Sequence, residues 1–502
     1  MWKSSLEFKL TLKVLLKYND VYFSKGIAFN HSLIKLSMEN SSNQNPDIIR
    51  HIEKFESMIQ NDENYYFDQD TFEQLAEYYV EIEDHHKAMQ VLDLAISQYQ
   101  YNNVFYIKKA ELLIDSNQLK EAIEILEYFE IIEPSNVDTI ILKCEVFYKS
   151  KRHKEAINIL KDALVFGNRK EDVYFDIASN FISLCEYKQA ILYLRFCLKE
   201  DSYYTEALFE LARCHELMKK PEESVKLYLA FINREPFSCE AWYNLGNVYD
   251  YLERNEDAID AYEYAFLIKE DFADAYYNRG NTLFKMHFYK EAIENYELSI
   301  DHSKKDAITL CNIGECHEEL EDTIQARKFY KQATKLNPKN SFAWFGIGNT
   351  YVIEKKWQDG IQYIEKALRI DKENGDYWAT LAHTQHQLGN LDIAENAFRK
   401  SFKFEPTNIK PWIEFSFLLL KSNRTEEAVA LLKEGINKNP DNAKLYYMLA
   451  VYLIMIGNEE DSYCYFEHAL DMDFNGHSMI MNYLPKLKWN ETVTKLIAQY
   501  KK

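Results

Sequence analysis

The sequence predicts an all-α protein, a solenoid of repeated helix pairs. Three observations predict it. A pattern recurs every 34 residues from position 69 to position 476, twelve times without insertion or deletion. Two positions of the period are always small. The eighth reads Ala76, Ala110, Cys144, Ala178, Ala212, Gly246, Gly280, Gly314, Gly348, Ala382, Ser416 and Ala450, and the twentieth runs from Ala88 to Ser462 by way of Ser224 and Gly360. Finally, the 502 residues include only 13 Gly and 9 Pro, too few breakers for a turn-rich β architecture.

The elements follow in chain order. Residues 1–37 carry six Lys against Glu7 and Asp20, unlike the acidic body of the chain. This break predicts that translation starts at Met38 and that 1–37 is an upstream extension; the alternative is a basic arm for a membrane surface or a partner. Residues 38–68 form a polar lead-in and a capping helix, with Ile48, Ile49, Ile52, Phe55 and Ile59 on its apolar side. Residues 69–476 are the twelve units. In each, positions 4, 8 and 11 share one stripe of a first helix, and positions 20, 24 and 27 share one stripe of a second. Position 4 is large, from Phe72 and Tyr106 to Trp242, Trp344, Trp378 and Trp412, and so is position 24, as in Leu92, Tyr262, Tyr296, Phe398 and Phe466. Small residues at 8 and 20 let the two helices approach, and the large ones fill the space beside them. Pro134, Pro236, Pro338, Pro406 and Pro440, all at position 32, end second helices. His215, His317 and Gln385 depart from the pattern at position 11, and Phe129 and Phe231 at position 27, so looser packing or a bend in the stack is expected there. Residues 477–502 read as a closing helical pair broken at Pro485, with Ile480, Leu484, Leu487, Val493, Leu496 and Ile497 facing inward.

The unit beginning at Cys239 shows Trp242, Leu245, Gly246, Tyr249, Ala258, Tyr262 and Ala265 at the spacing W-x2-L-G-x2-Y…A-x3-F…A. This resembles the tetratricopeptide repeat (TPR) family. The resemblance implies a right-handed α-α superhelical solenoid whose first helices line a concave groove, with positions 2, 5, 9 and 12–13 facing it. It also implies a non-catalytic scaffold or adaptor that binds extended peptide or protein segments. The alternative is the substrate-recognising subunit of an enzyme complex whose catalysis lies on another chain.

Carried onto this sequence, that mapping predicts three groove features. Position 5 is apolar or aromatic in most units, including Tyr243, Tyr277 and Phe345, and is either a floor for a partner's side chains or a filler between first helices. Acids gather at position 2 (Glu240 and Asp274 among seven), at position 9 (Glu77, Glu111, Glu145) and at 12–13 (Glu216, Asp250, Glu318, Glu319). Helix-dipole chemistry accounts for part of the first set. Groove cations such as Arg213, Lys285 and Lys410 are fewer, so the expected ligand is neutral to basic. Asn244, Asn278 and Asn312 recur at position 6, with Asn247, Asn281 and Asn349 at position 9. A ladder of side-chain amides pairs with an extended peptide backbone of any sequence, and it resembles the asparagine ladder of TPR-bearing glycosyltransferases. The two-carboxylate clamp of some family members is not expected, because Tyr243 and Tyr277 stand where its cations belong.

Other chemistry is thin. The balance of 80 Asp and Glu against 59 Lys and Arg, net charge −21, does not suit phosphate binding, so no nucleic-acid partner is expected. No apolar run is long enough for a membrane span. The eight Cys form no C-x2-C pair and read as small apolar residues of a reducing cytoplasm. His383 and His386 share a helix face, more in keeping with exposed polar residues than with a metal site. No catalytic motif stands outside the repeat and no cofactor is expected. Richness in Lys, Asn, Ile, Phe and Tyr suggests an AT-rich, bacterial genome.

Overall fold

A computed structural model describes residues 46–61, 65–133, 136–167, 169–478 and 491–500. Residues 1–45, and with them the expectations on the first 37 residues and Met38, lie outside that set, as do Pro134, Ile480, Leu484, Pro485 and Leu487. Every regular element among the described residues is helical. After Pro46–Asn61, helices come in pairs, from Gln69–Glu81 with His85–Gln98 to Ala443–Met455 with Glu459–Met472. The chain divides between Glu270 and Asp271 into two compact bodies, each a stack of such pairs.

Local chemistry sets where each first helix begins and ends. The residue before it is Asp68, Asn102, Asn136, Ser238, Asp306, Asn340, Asn374, Asn408 or Asn442 in nine pairs, and each side chain accepts a backbone N–H of the first turn. At Asp68 this bond, from Thr71 N–H to Oδ1, is 2.7 Å. Tyr204 and Phe272 occupy the same place without such a bond. The first helix ends on a left-handed residue two places after the helix. Glu83, Asn117, Lys151, Cys185, Lys219, Glu253, His287, Glu321, Lys355, Gly389, Asn423 and Gly457 all have positive φ, between 56° and 84°. There the chain reverses: Glu253 N–H donates to Asp250 O at 3.1 Å and Arg254 N–H to Tyr249 O at 2.9 Å.

The two helices of a pair touch through their small residues. At position 8, a Cβ on Gly246 would lie 2.6 Å from the Tyr262 ring, and one on Gly280 or Gly314 would lie 2.8 Å from Tyr296 or Tyr330. Position 24 therefore packs straight onto position 8 of its own pair. Where position 8 is Ala, position 24 is often Leu, as in Ala76 with Leu92 and Ala178 with Leu194. Positions 8 and 20 also meet through the backbone: Ser224 Oγ donates to Ala212 O, and Ser462 Oγ to Ala450 O, both at 2.7 Å. The large residue at position 4 is tied to the preceding connection. The indole N–H groups of Trp242, Trp344, Trp378 and Trp412 donate to the carbonyls of Pro236, Pro338, Lys372 and Pro406 at 2.8–3.0 Å.

The departures from the pattern have mixed outcomes. Phe129 and Phe231 are buried rather than loosely packed: Phe129 stacks on Tyr106 at 5.3 Å, and Phe231 lies against Phe209. His317 stacks on Phe329, and Gln385 accepts from Asn390. His215 is buried with Nδ1 lacking a partner, and burial lowers its pKa. At the start of the stack, Ile52, Phe55 and Met58 face inward while Ile49 and Ile59 stay exposed, because the inward stripe advances by three. At the far end Val493 is buried, with Leu496, Ile497 and Tyr500 against the same core.

The Gly–Tyr contact gives a stability test. Gly246→Ala is expected to cost about 1–3 kcal/mol through overpacking against Tyr262, and adding Tyr262→Leu to recover part of that loss. A double-mutant cycle by thermal or urea unfolding measures the coupling, and additive losses would refute the contact. The reversal gives a second: Glu253→Gly relieves a left-handed β-carbon and is expected to stabilise the first body by up to about 1 kcal/mol, read from the thermal midpoint.

Candidate functional site

Within each body successive first helices lie side by side, as Val137–Lys149 does with Lys170–Ser183 and Ala307–Glu319 with Ser341–Ile353. Side chains at positions 5, 6, 9 and 12 therefore sit between neighbouring first helices. This is where the structure places the expected groove residues.

In the first body Glu240 is exposed, while Tyr243, Asn244, Asn247 and Asp250 are half-buried. The Tyr243 ring lies 6.0 Å from that of Tyr262, and Asn247 Oδ1 accepts the Tyr262 hydroxyl at 2.9 Å. In the second body Asp274 is exposed, and Tyr277, Asn278, Asn281, Asn312, Phe345 and Asn349 are half-buried. Tyr277, Asn281 and Asn312 come together: Asn312 Nδ2 donates to the Tyr277 hydroxyl at 3.3 Å and to Asn281 Oδ1 at 3.4 Å. Asn281 Oδ1 also accepts the Tyr296 hydroxyl at 2.8 Å. Asn349 Nδ2 donates to Glu318 Oε1 at 2.8 Å, whose other oxygen accepts from Tyr330 at 2.5 Å. Phe345 stacks on Tyr377 at 4.4 Å. The amides at Asn247, Asn281, Asn312 and Asn349 are thus engaged inside the fold, and a peptide backbone must compete for them. Asn312, at position 6, is thereby tied to the preceding repeat rather than left facing only a ligand.

The acids are also sorted by the structure. Glu77 pairs with Lys108 at 2.7 Å and Glu145 with Lys149 at 3.1 Å, so part of the expected negative charge is neutralised internally. Arg213 likewise pairs with Glu210 through its Nε at 2.9 Å. Burial instead raises the pKa of Glu111, Glu216, Glu315 and Glu318. The sharpest case is Asp176, at position 6 of its repeat, which the sequence pattern did not single out. Burial, reinforced by the charges of Asp172 and Glu145, pushes it up to about 7. It lines a cavity of about 300 Å³ with Ile141, Cys144, Glu145, Tyr148, Ser179 and Asn180. Asn180 is held by its own bonds, Nδ2 to Asp176 O at 2.9 Å and Oδ1 to His153 Nδ1 at 3.1 Å. Among the described residues no cation makes an ion pair with Asp176. Sequence position gives no signal for it, since position 6 carries residues of every kind, among them Lys108, Leu142, Asn244, Gly346 and two further acids, Glu210 and Glu414.

Two further expectations are corrected or placed. Six Cys are buried, with Cys144, Cys197, Cys311 and Cys316 pushed up to about 12 by burial. Cys185 and Cys464 are exposed, the first in a helix–helix turn and the second on the outer side of a second helix, so they are not core residues. His383 Nδ1 lies 3.3 Å from Glu414 Oε2. Among the described residues no group of three or more His, Cys, Asp or Glu is placed to hold a metal ion, and no helix is long and apolar enough to cross a membrane.

Asp176 gives a pH test. Its folded pKa is raised, so its contribution to stability is complete below the unfolded value of 3.8 and is lost as pH rises through about 7. Asp176→Asn is therefore expected to stabilise the first body at about pH 8 by on the order of 1–2 kcal/mol, allowing for solvent screening, and to leave stability near pH 3 unchanged. Thermal midpoints across that range check it.

Four sequence profiles, each described as tetratricopeptide repeat, match residues 206–238, 240–272, 271–339 and 389–452. Among curated relatives, the chain is 29% identical over 147 residues to BBSome complex member bbs-4 of Caenorhabditis elegans, covering 29% of this chain and 32% of that protein. It is 25% identical over 123 residues to the Cell division cycle protein 27 homolog of the same organism, covering 24% of this chain and 16% of that protein. The matched stretches span a third or less of these relatives' length. Similar solved structures include YrrB, a TPR protein with an unusual peptide-binding site, at TM-score 0.32 and 20% identity over 37% of this chain and 95% of that one. The APC/C hetero-tetramer Cut9–Hcn1 is similar at TM-score 0.37 and 14% identity over 87% of this chain and 97% of that one.

Proposed function

The chain belongs to the tetratricopeptide repeat family, and from that premise we propose that it is a non-catalytic protein–protein interaction scaffold that holds basic segments of its partners against its first-helix faces. The observation that carries the basic ligand is Asp176: a carboxyl half-enclosed in a cavity, where burial and the like charges of Asp172 and Glu145 oppose its ionisation more than the charge of Arg169 favours it. A Lys or Arg side chain entering there supplies the missing countercharge. In the second body, Tyr277, Asn281 and Asn312 offer a contact of another kind, where a peptide backbone replaces the internal Tyr–Asn bonds. Glu240, Tyr243, Asn244, Asn247 and Asp250 in the first body, and Asp274, Asn278, Phe345 and Asn349 in the second, belong to this reading as secondary contacts. The relative described as a BBSome complex member supports a place in a multi-subunit assembly.

The test pairs an affinity pull-down from the source cells, read by mass spectrometry, with direct binding of a fluorescein-labelled Gly-Lys-Gly-Arg-Gly peptide. Affinity for the labelled peptide is expected to rise with pH through about 7, since the cation pairs with the ionised Asp176 carboxylate. It is expected to fall as salt rises. Asp176→Asn should weaken binding by roughly tenfold. Equal affinity for wild type and Asp176→Asn at high pH would remove this cavity from the reading.

A further inference from the structure

The second body carries a cavity of opposite character. It has a volume of about 620 Å³ and lies between the second helices Trp357–Ile370 and Leu391–Phe404 and the start of Gly375–Gln387. Its walls are apolar: Leu368 and Leu381 are buried at the bottom, and Trp378 and Phe404 stand half-buried at the sides. Its rim is cationic, with Arg369, Lys372, Lys400 and Lys403 exposed around a single acid, Glu365. This is four cations to one anion in a chain of net charge −21. None of the four makes an ion pair among the described residues, whereas nearby Arg399 and Arg424 share Glu395.

Helix chemistry explains only part of this. A cation in the last turn of a helix is favoured by the dipole, which accounts for Arg369 and Lys403. It does not account for Lys372, which lies in the connection at the place where Pro236, Pro338 and Pro406 stand in other repeats and whose carbonyl takes the Trp378 indole N–H at 2.8 Å. Nor does it account for Lys400, whose ammonium rests over the Trp378 ring 4.0 Å from its centre. That contact holds a cation beside an apolar opening without neutralising it.

We propose that this cavity is a docking site for an acidic partner segment that inserts one aromatic or large aliphatic side chain between Trp378 and Phe404, with flanking carboxylates reaching Lys372, Lys400 and Lys403. Charge complementarity selects the occupant: the rim attracts anions and the walls need an apolar anchor between them. The four cations come from two helices and the connection after the first of them, an arrangement that fits an extended peptide better than a single phosphate group. The site does not depend on the Asp176 reading, which lies in the other body and asks for the opposite charge.

The test is fluorescence anisotropy with fluorescein-labelled Gly-Asp-Glu-Phe-Asp-Glu-amide on the full chain. Binding is expected to weaken by roughly tenfold or more in the double variant Lys400→Glu, Lys403→Glu, whose exposed positions leave the fold intact by circular dichroism. A loss of similar size is expected when glycine replaces the probe's phenylalanine, because the anchor is then missing. Asp176→Asn is expected to leave this binding unchanged. Equal affinity for wild type and the double variant would overturn the proposal, as would equal affinity for the two probes. Displacement by inorganic pyrophosphate or by phosphatidylserine vesicles as effective as that by unlabelled peptide would also overturn it, since the cavity would then take anions of any kind.

Discussion

The close approach of the two helices in each pair is the constraint from which the rest of the structure follows. It exists because position 8 has little or no side chain and position 20 has none beyond Ala, Ser or Gly. With the backbones this near, the residue at position 24 lies directly over position 8, so its size is set by what position 8 leaves open. Gly246, Gly280 and Gly314 admit a tyrosine ring, whose hydroxyl then reaches across the first helix to Asn247, Asn281 or Glu318. Packing in the core thereby fixes polar groups on the first-helix face. A ring buried in the pair and an amide half-buried between repeats are two ends of one arrangement.

That coupling changes how the first-helix face must be understood. Groups suited to bind a peptide are also suited to bind each other, and in the free protein they do. Asn312 bridges Tyr277 and Asn281, and Glu318 joins Tyr330 to Asn349 of the next repeat. These bonds carry register from one repeat to its neighbour, in the manner of a solenoid whose stability is the sum of unit and interface terms. A ligand that replaces them gains only the difference between two sets of hydrogen bonds, which is modest. A charge that has no internal partner gives a ligand more. By this comparison Asp176 ranks above the amides, although the amides make the more conspicuous sequence pattern.

What the sequence made legible follows the same division. Helix pairs, their period and the small-to-large packing code were readable because each depends on residues within one 34-residue unit. The left-handed residue at the helix reversal was not, since ten of its twelve occupants are not glycine: Lys219, Glu253 and Lys355 give no composition signal for a positive φ. The nine capping residues are readable in principle, since Asp, Asn or Ser recurs one place before the first helix, two residues after the position that carries the prolines. The candidate sites were only half legible. Positions alone placed Tyr277, Asn281 and Asn312 on one face, but their mutual bonds depend on the spacing between repeats, which no single unit encodes. Asp176 and the cavity beside Trp378 depend on three separate stretches of chain, and their meaning rests on which neighbouring charges are already paired.

Pairing, more than charge count, is therefore the informative property of this surface. A net charge of −21 suggests an acidic protein that attracts cations everywhere, yet Glu77, Glu145 and Glu395 are matched by Lys108, Lys149 and Arg424. Matched charges contribute little to a partner, since binding through them first breaks an existing pair. What is left over is local and of both signs: a half-enclosed carboxyl at Asp176 in the first body, and four unmatched cations around apolar walls in the second. Each is held in place by packing rather than by a counter-ion. Lys400 lies on the Trp378 ring, and Asp176 sits between two first helices whose separation is set by their own pairs. The helix pairs thus fix which charges remain unpaired, and the unpaired charges determine what chemistry a partner must bring.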